Sequence, residues 1–170
     1  MDRVISAQSD AAWERTVVAA YEQHARILWE YARRLGRDHD GAEDSVQEAF
    51  ARLFHLAPAR RPANIGGWLY RAVHNLAMDE HRRIRRISAA PVTQIADRPA
   101  DLDHEAAKRL ALWEAVDRLP LRQREVVFLR YRADLDFASI ATILGVTESG
   151  ARANAHRALQ SLRNFAETWR

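Results

Sequence analysis

Cysteine is absent from this 170-residue chain, and glycine and proline are scarce, at 6 and 5 residues. Without a thiol the chain cannot build disulfide frameworks, cysteine-based zinc or iron–sulfur sites, or a cysteine nucleophile. So few glycines and prolines cannot form the many turns that connect the short strands of a β-sandwich or β-barrel. No apolar run approaches the ~18 residues of a membrane span, and the first residues lack the apolar core of a signal peptide. These absences predict a cytoplasmic protein.

The abundant residues are helix formers. The chain has 31 Ala, 16 Leu and 25 Arg, against only 10 Val, 8 Ile and 5 Thr. Ala, Leu and Arg have high helix propensity, whereas β-branched residues favour strands. The composition therefore predicts an all-α fold.

The formal net charge of +3 conceals an alternation of sign along the chain. Residues 1–59 carry −3, residues 60–87 carry +5, residues 88–117 carry −3 and residues 118–170 carry +4. Fluctuations of a few charges also arise by chance in any sequence. The two basic segments are nevertheless candidates for contact with nucleic acid.

Apolar spacing in the first half of the chain predicts three helices. The first spans residues 11–35 and ends at Gly36, and the second begins after Asp38 or Asp40. A loop follows at residues 58–67, and a third helix covers residues 68–86. The apolar stripe of the second helix consists of Ala42, Val46, Ala49, Phe50, Leu53 and Phe54.

Residues 88–104 have small, acidic and proline residues without a sustained period, which is typical of a flexible linker. Beyond them the pattern predicts helices at 105–119, 122–132 and 137–144, and a last helix that Thr147 caps and that runs to about residue 169. We therefore expect two small helical domains, 1–87 and 105–170, joined by an acidic linker at 88–104.

The last two helices form a candidate helix-turn-helix. They are joined by Gly145 and Val146, and this motif needs a short turn, often with glycine, because its second helix swings sharply away from the first. The second helix of such a unit enters the DNA major groove. An ordinary helical hairpin with a solvated face is the alternative. The candidate DNA-binding residues are Thr147, Glu148, Ser149, Arg152, His156 and Arg157.

The third helix ends in the basic run HRRIRR at residues 81–86. Clustered arginines repel one another in isolation but are favourable opposite phosphates, where they displace counterions. Trp68 and Tyr70 lie upstream as possible stacking surfaces for bases, although Trp68 begins the apolar stripe and is expected to be mostly core. The face predicted to be polar carries Arg71, His74, Asn75, Met78, Arg82 and Arg85.

Acidic residues crowd the second helix. The helix dipole accounts for Glu43 and Asp44 in its first turns, but Glu48 lies beyond the reach of that explanation. The seven histidines are scattered, and the chain has neither an HExxH motif nor a glycine-rich phosphate loop. The sequence therefore predicts no catalytic residue, no metal site and no cofactor.

Taken together, these blocks resemble the extracytoplasmic-function (ECF) sigma factors of bacterial RNA polymerase. AEDSVQEAFARLF at residues 42–54 is similar to the core-binding helix, and GWLYRAVHNLAMDEHRR at 67–83 to the −10 helix. LPLRQREVVFLRY at 119–131 and FASIATILGVTESGARANAHRALQSLR at 137–163 are similar to the −35 domain. The resemblance covers about residues 20–163, with a weak match in the linker.

The resemblance implies a transcription initiation factor that binds core polymerase through its clamp helices and flap, recognises −10 and −35 promoter elements and assists promoter melting. It also implies an anti-sigma partner, and association with the nucleoid in the holoenzyme. Asp44, Gln47 and Glu48 match the positions that dock on the clamp helices. The residues implied to contact −10 DNA are Arg61, Asn64, Tyr70, Arg71, His74, Asn75, Arg82 and Arg83.

The residues leave two other classes of function open. A stand-alone helix-turn-helix regulator would bind duplex DNA specifically without polymerase, whereas an interaction scaffold would tolerate Arg82→Glu and Arg152→Glu. The acidic linker has two interpretations as well. The resemblance implies that its carboxylates mimic RNA near the polymerase active centre; the alternative is that they only keep a flexible tether hydrated.

Overall fold

The computed structural model describes the backbone of residues 2–87 and 104–168 and the side chains of residues 10–86 and 110–165. Regular secondary structure in these ranges is helical throughout, which confirms the all-α prediction. The predicted linker lies outside the described residues, except that His104 begins a helix. In chain order the elements are α1 (Asp2–Arg34), α2 (His39–Phe54), a 3-10 turn (Pro58–Arg60), α3 (Ile65–Ile87), α4 (His104–Asp117), α5 (Leu121–Val127), a π-helical turn (Phe128–Arg132), α6 (Phe137–Leu144) and α7 (Glu148–Thr168).

The chain divides into two compact units. Of the described residues, 2–33 and 37–87 belong to the first unit, and 34–36 and 104–168 belong to the second. The first unit therefore contains nearly all of α1 with α2 and α3, and the second contains α4 to α7.

Helices α2 and α3 pack against each other in the first unit, and α1 is joined to them by aromatic contacts. Tyr21 of α1 meets Phe50 of α2 edge to face with ring centroids 5.0 Å apart, and Tyr31 meets Tyr70 of α3 at 5.8 Å. Phe50, Tyr31 and Tyr70 are buried, whereas Tyr21 is 50% exposed, and each fully buried large apolar side chain stabilises the fold by about 1.5–3 kcal/mol. The buried apolar residues of these helices include Val17, Leu28, Tyr31, Val46, Phe50, Leu53, Leu69, Tyr70 and Val73.

Local capping sets the ends of these helices. Gly36 has a φ of +87°, a conformation that glycine adopts at little cost, and the side chain of Asp38 accepts a hydrogen bond of 2.8 Å from Gly41 N at the start of α2. Helix α3 begins at Ile65, three residues before its predicted start. The reason is that Asn64 Oδ1 accepts a hydrogen bond of 2.8 Å from Gly67 N, so two glycines expected in the loop lie in the first turn.

In the second unit, α7 packs against both α5 and α6. One cluster joins Val116, Leu119, Val127 and Ala158, with Trp113 and Leu162 against it. The helix predicted over 122–132 is α-helical only to Val127, and Phe128–Arg132 forms a π-helical turn. That turn closes with a hydrogen bond of 3.1 Å from Ala133 N to Phe128 O, and Asp134 follows with a φ of +53°.

Candidate functional site

The second helix presents one face to solvent and buries the other. We call Glu43, Asp44, Gln47 and Glu48 the acidic face; all four side chains are exposed. On the opposite side Ala42, Val46, Ala49, Phe50 and Leu53 are buried as predicted, whereas Phe54 is 46% exposed and so does not belong to the buried stripe.

Side-chain hydrogen bonds within α2 order the acidic face. Gln47 Nε2 donates to Glu43 Oε1 at 3.2 Å, and Arg52 Nε donates to Glu48 Oε1 at 2.7 Å. Both pairs are four residues apart, a spacing that brings side chains together on one helix face. A rigid helix thus presents three carboxylates and an amide in one patch, which is a surface suited to a partner with basic and polar groups.

Helix α3 carries a row of exposed basic and amide side chains that we call the basic stripe. Its members share one helix face and are all exposed: Asn75 and Arg82 follow Arg71 by four and eleven residues, and Arg85 and Arg86 follow Arg82 by three and four. Arg83 is exposed beside this row. Guanidinium groups spaced along one helix face can follow a phosphate backbone.

Two arginines of this region are held by acids one turn earlier on α3. Arg82 is paired with Asp79, and Arg83 donates two hydrogen bonds to Glu80, of 2.8 and 2.7 Å. The side-chain hydrogen bond from Arg83 lowers the pKa of the Glu80 carboxyl. These exposed pairs contribute little to stability, but they restrict the positions of the guanidinium groups.

Tyr70 and His74, both predicted to contact DNA, are buried in the first unit, with exposures of 2% and 5%. The Tyr31 hydroxyl and His74 Nδ1 are hydrogen-bonding partners at 3.3 Å, so a side chain from α1 provides the polar contact that allows a histidine in the core. The predicted exposure of His74 was therefore wrong. The signal in the sequence was the row Tyr70, His74 and Ala77, whose spacing of four and three residues places all of them on one face.

Trp68, expected to be mostly core, is half-buried and lies next to the loop. Tyr70 takes the core position and packs edge to face on Tyr31. Of the two aromatic side chains, Trp68 is thus the more accessible to a base.

The loop before α3 contains the other two residues predicted to contact DNA. Asn64 is exposed and also caps α3. Arg61 is 17% exposed and forms a salt bridge of 2.9 Å with Asp10 of α1. Its guanidinium carbon lies 4.8 Å from the centroid of the Trp13 ring. Neither Asp10 nor Trp13 was a predicted site residue, because contacts between distant segments leave no local pattern in a sequence.

The second unit contains the predicted helix-turn-helix. Helix α6 has the predicted bounds and ends at Gly145, whose φ of +64° turns the chain toward α7. Asp136 caps α6 by accepting a hydrogen bond of 2.7 Å from Ser139 N, and this bond lowers the pKa of the Asp136 carboxyl. Thr147 Oγ1 accepts a hydrogen bond of 3.0 Å from Gly150 N and so caps α7 as predicted.

Helix α7 packs through small residues and presents polar ones. Ala151, Ala155 and Ala158 are buried. The residues predicted to contact DNA are exposed on the other side, and we call them the reading face: Thr147, Glu148, Ser149, Arg152, His156 and Arg157. The major groove of B-DNA is wide enough to admit an α-helix that presents such a polar face to the bases.

Arg152 is held in place from two sides. It is paired with Glu148, and its guanidinium carbon lies 4.7 Å from the centroid of the Phe137 ring. Arg130 lies 5.6 Å from the same centroid, so Phe137 contacts two cations. Phe137 was not a predicted site residue, although an aromatic residue at the first position of α6 was a visible signal.

Within the described residues, no three His, Asp or Glu side chains come together as a metal site. No described helix is long and apolar enough to cross a membrane.

Family models and curated relatives of this chain point to the same family. A model for Sigma-70 region 2 matches residues 20–87, and a model for Sigma-70, region 4 matches residues 109–162. The ECF RNA polymerase sigma factor SigL of Mycobacterium tuberculosis is 32% identical over 166 residues, which cover 93% of this chain and 91% of SigL. SigE of Mycolicibacterium smegmatis is 32% identical over 161 residues, which cover 91% of this chain and 61% of SigE.

Among solved structures, the sigma factor RpoE of Bartonella quintana, in complex with the anti-sigma factor NepR, shares the fold. The TM-score is 0.72 at 22% identity, and the match covers 89% of this chain and 97% of RpoE.

Proposed function

The chain belongs to the ECF sigma factors of bacterial RNA polymerase, and from this membership we propose that it directs core polymerase to promoters with specific −10 and −35 elements and assists their melting. The observation that carries the proposal is that each unit exposes an arginine-bearing helix face, the basic stripe in the first and the reading face in the second, and that the first unit also exposes the acidic face of α2. One protein contact and two DNA contacts are what promoter selection by a polymerase requires.

The acidic face is the proposed contact with core polymerase. Asp44, Gln47 and Glu48 would dock on the clamp helices, and their exposure leaves them accessible to a partner. Glu48 is paired with Arg52 of the same helix, so docking on a basic partner would place this carboxylate between two cations.

The −10 element would bind the first unit. Asn64, Arg71, Asn75, Arg82 and Arg83 are exposed on α3 and the loop before it. Unstacking a base costs a few kcal/mol, and phosphate contacts together with capture of the extruded base offset that cost. Binding energy thus melts the promoter, and the protein itself catalyses no reaction.

The −35 element would bind the second unit as duplex DNA. The reading face places Arg152 within the first turns of α7, the part of a recognition helix that reaches base edges. Arginine reads guanine through two hydrogen bonds to O6 and N7.

We further propose that residues 1–87 and 105–170 act as separate functional modules, with residues 88–104 as the tether between them. The second module would also contact the polymerase flap.

An anti-sigma factor is a further proposed partner, supported by the complex of RpoE with NepR. Such a partner would cover the acidic face or the basic stripe until it is released. The proposed location is the cytoplasm, where core polymerase and promoter DNA are found.

Transcription by reconstituted holoenzyme tests the proposal. Core polymerase with the full chain is expected to give run-off transcripts from a subset of a genomic promoter library, and core polymerase alone should give none of them. Specific binding of duplex DNA by the free chain in a mobility-shift assay, without any binding to core polymerase, would instead identify a stand-alone regulator.

The substitution Arg152→Ala tests the −35 contact. We expect discrimination at one −35 base pair to fall by about 1–3 kcal/mol, because a bidentate contact to guanine is lost. Competition between promoters that differ at single −35 positions measures this change. Arg163→Ala removes an exposed arginine from the far end of the same helix and is expected to preserve discrimination. Equal loss at every position would identify Arg152 as a phosphate contact instead.

A further inference from the structure

Arg61 is the centre of a small cluster that links α1 to the loop before α3. Its guanidinium donates a hydrogen bond of 2.9 Å to Asp10 Oδ1 and lies 4.8 Å from the centroid of the Trp13 ring. Only 17% of the Arg61 side chain is exposed, although the side chain of Asp10 is 61% exposed. We call Asp10, Trp13 and Arg61 the Arg61 cluster.

Trp13 also contacts the beginning of the same loop. Its Nε1 donates a hydrogen bond of 3.3 Å to the carbonyl oxygen of Phe54, the last residue of α2. One indole therefore contacts the residue that precedes the loop and the arginine near the end of the loop. The segment between these points, residues 55–61, is held at both ends by α1.

The two α1 residues lie before residue 20, where the match to Sigma-70 region 2 begins. The cluster thus joins a segment outside that match to the loop that leads into α3. Fixing the backbone of one residue costs about 1–2 kcal/mol, so a loop ordered in the free protein has less entropy left to lose on binding DNA.

From these contacts we propose that Asp10 and Trp13 are positioning residues, which use Arg61 to hold the loop 55–64 in the conformation that binds the −10 strand. The proposal rests on the promoter function proposed above. It also changes the role of Arg61, because a guanidinium paired with Asp10 and stacked on Trp13 acts on the loop rather than on a phosphate.

The substitution Asp10→Asn tests this role. Removal of one carboxylate should increase hydrogen exchange at the amides of residues 57–64 in the free chain. It should also slow open-complex formation by the holoenzyme about twofold to fivefold, the range expected for a partly exposed ion pair. Opening is measured by the permanganate reactivity of −10 thymines on a promoter that the wild-type holoenzyme selects. The affinity for core polymerase is expected to be unchanged.

Matched variants separate positioning from general effects of charge. Asp10→Glu keeps the carboxylate and should restore most of the opening rate, whereas Glu14→Gln removes the same charge one turn further along α1 and should have no effect. Trp13→Leu removes the stacking surface and the hydrogen bond to Phe54, and is expected to slow opening more than Asp10→Asn does.

Two results would overturn the proposal. Unchanged exchange and unchanged opening in Asp10→Asn would mean that the cluster does not order the loop. Faster opening would mean that Asp10 shields Arg61 from DNA. Failure of the promoter function gives a different pattern, in which Asp10→Asn still increases loop exchange but the wild-type holoenzyme opens no promoter.

Discussion

The double substitution Asp44→Arg and Glu48→Arg is expected to weaken binding of core RNA polymerase by about 30-fold to 1,000-fold. Each change replaces a carboxylate that faces a basic partner by a cation that repels it. A cost of about 1–2 kcal/mol per site, typical of a charge reversal at a partly desolvated contact, gives about 2–4 kcal/mol in total. Titration of labelled core polymerase with the chain measures the affinity.

Both side chains are exposed on α2, so the stability of the chain should fall only by about 1–2 kcal/mol, from the lost Glu48–Arg52 pair and the repulsion that replaces it. Circular dichroism is expected to show the wild-type helix content. Glu22→Arg makes one such charge reversal at an exposed position of α1 and should preserve core affinity. If core affinity stayed within twofold of wild type in the double variant, the acidic face would not be the polymerase contact.

The double substitution Arg71→Glu and Arg82→Glu is expected to reduce promoter opening by at least about tenfold while core affinity is retained. Both side chains are exposed on the basic stripe, and their reversal replaces two phosphate contacts by repulsion. The salt dependence of DNA binding should also weaken. Each lost phosphate contact lowers the slope of log affinity against log salt concentration by about one, so the double variant should lower it by about two. A salt titration of open-complex formation, followed by permanganate reactivity at −10, measures both effects.

Arg26→Glu is the control for one such charge reversal away from the basic stripe, since its side chain is 89% exposed on α1 of the same unit. It should leave opening unchanged. If the control lost half as much opening as the double variant on a logarithmic scale, net charge rather than the stripe would govern the interaction with DNA.

Helix content, helix faces and most helix ends could be predicted from the sequence because they depend on neighbours within a few residues. The acidic face follows from alternation of polar and apolar residues along α2, and the bounds of α6 follow from Asp136 before it and Gly145 after it. The start of α3 was misplaced for an equally local reason, because an asparagine cap outweighs the two glycines that follow it.

The same local pattern misplaced His74, and it gave no sign of contacts between segments far apart along the chain. His74 was placed outside because histidine counts as polar, yet the Tyr31 hydroxyl, 43 residues earlier, gives it a buried partner. Arg61, which the family resemblance implies to contact −10 DNA, pairs in the structure with Asp10, 51 residues earlier. No periodicity within one helix contains either contact.

By itself, the sequence determined that this protein is helical, that it carries a helix-turn-helix, and that its acidic and basic surfaces lie on different helices. Those properties follow from propensity, period and capping, which act over a single turn. Only the tertiary structure decided which polar side chains remain accessible to a partner. The physical reason is that a buried polar group is strongly destabilising unless another segment provides a hydrogen-bonding partner, as Tyr31 of α1 does for His74.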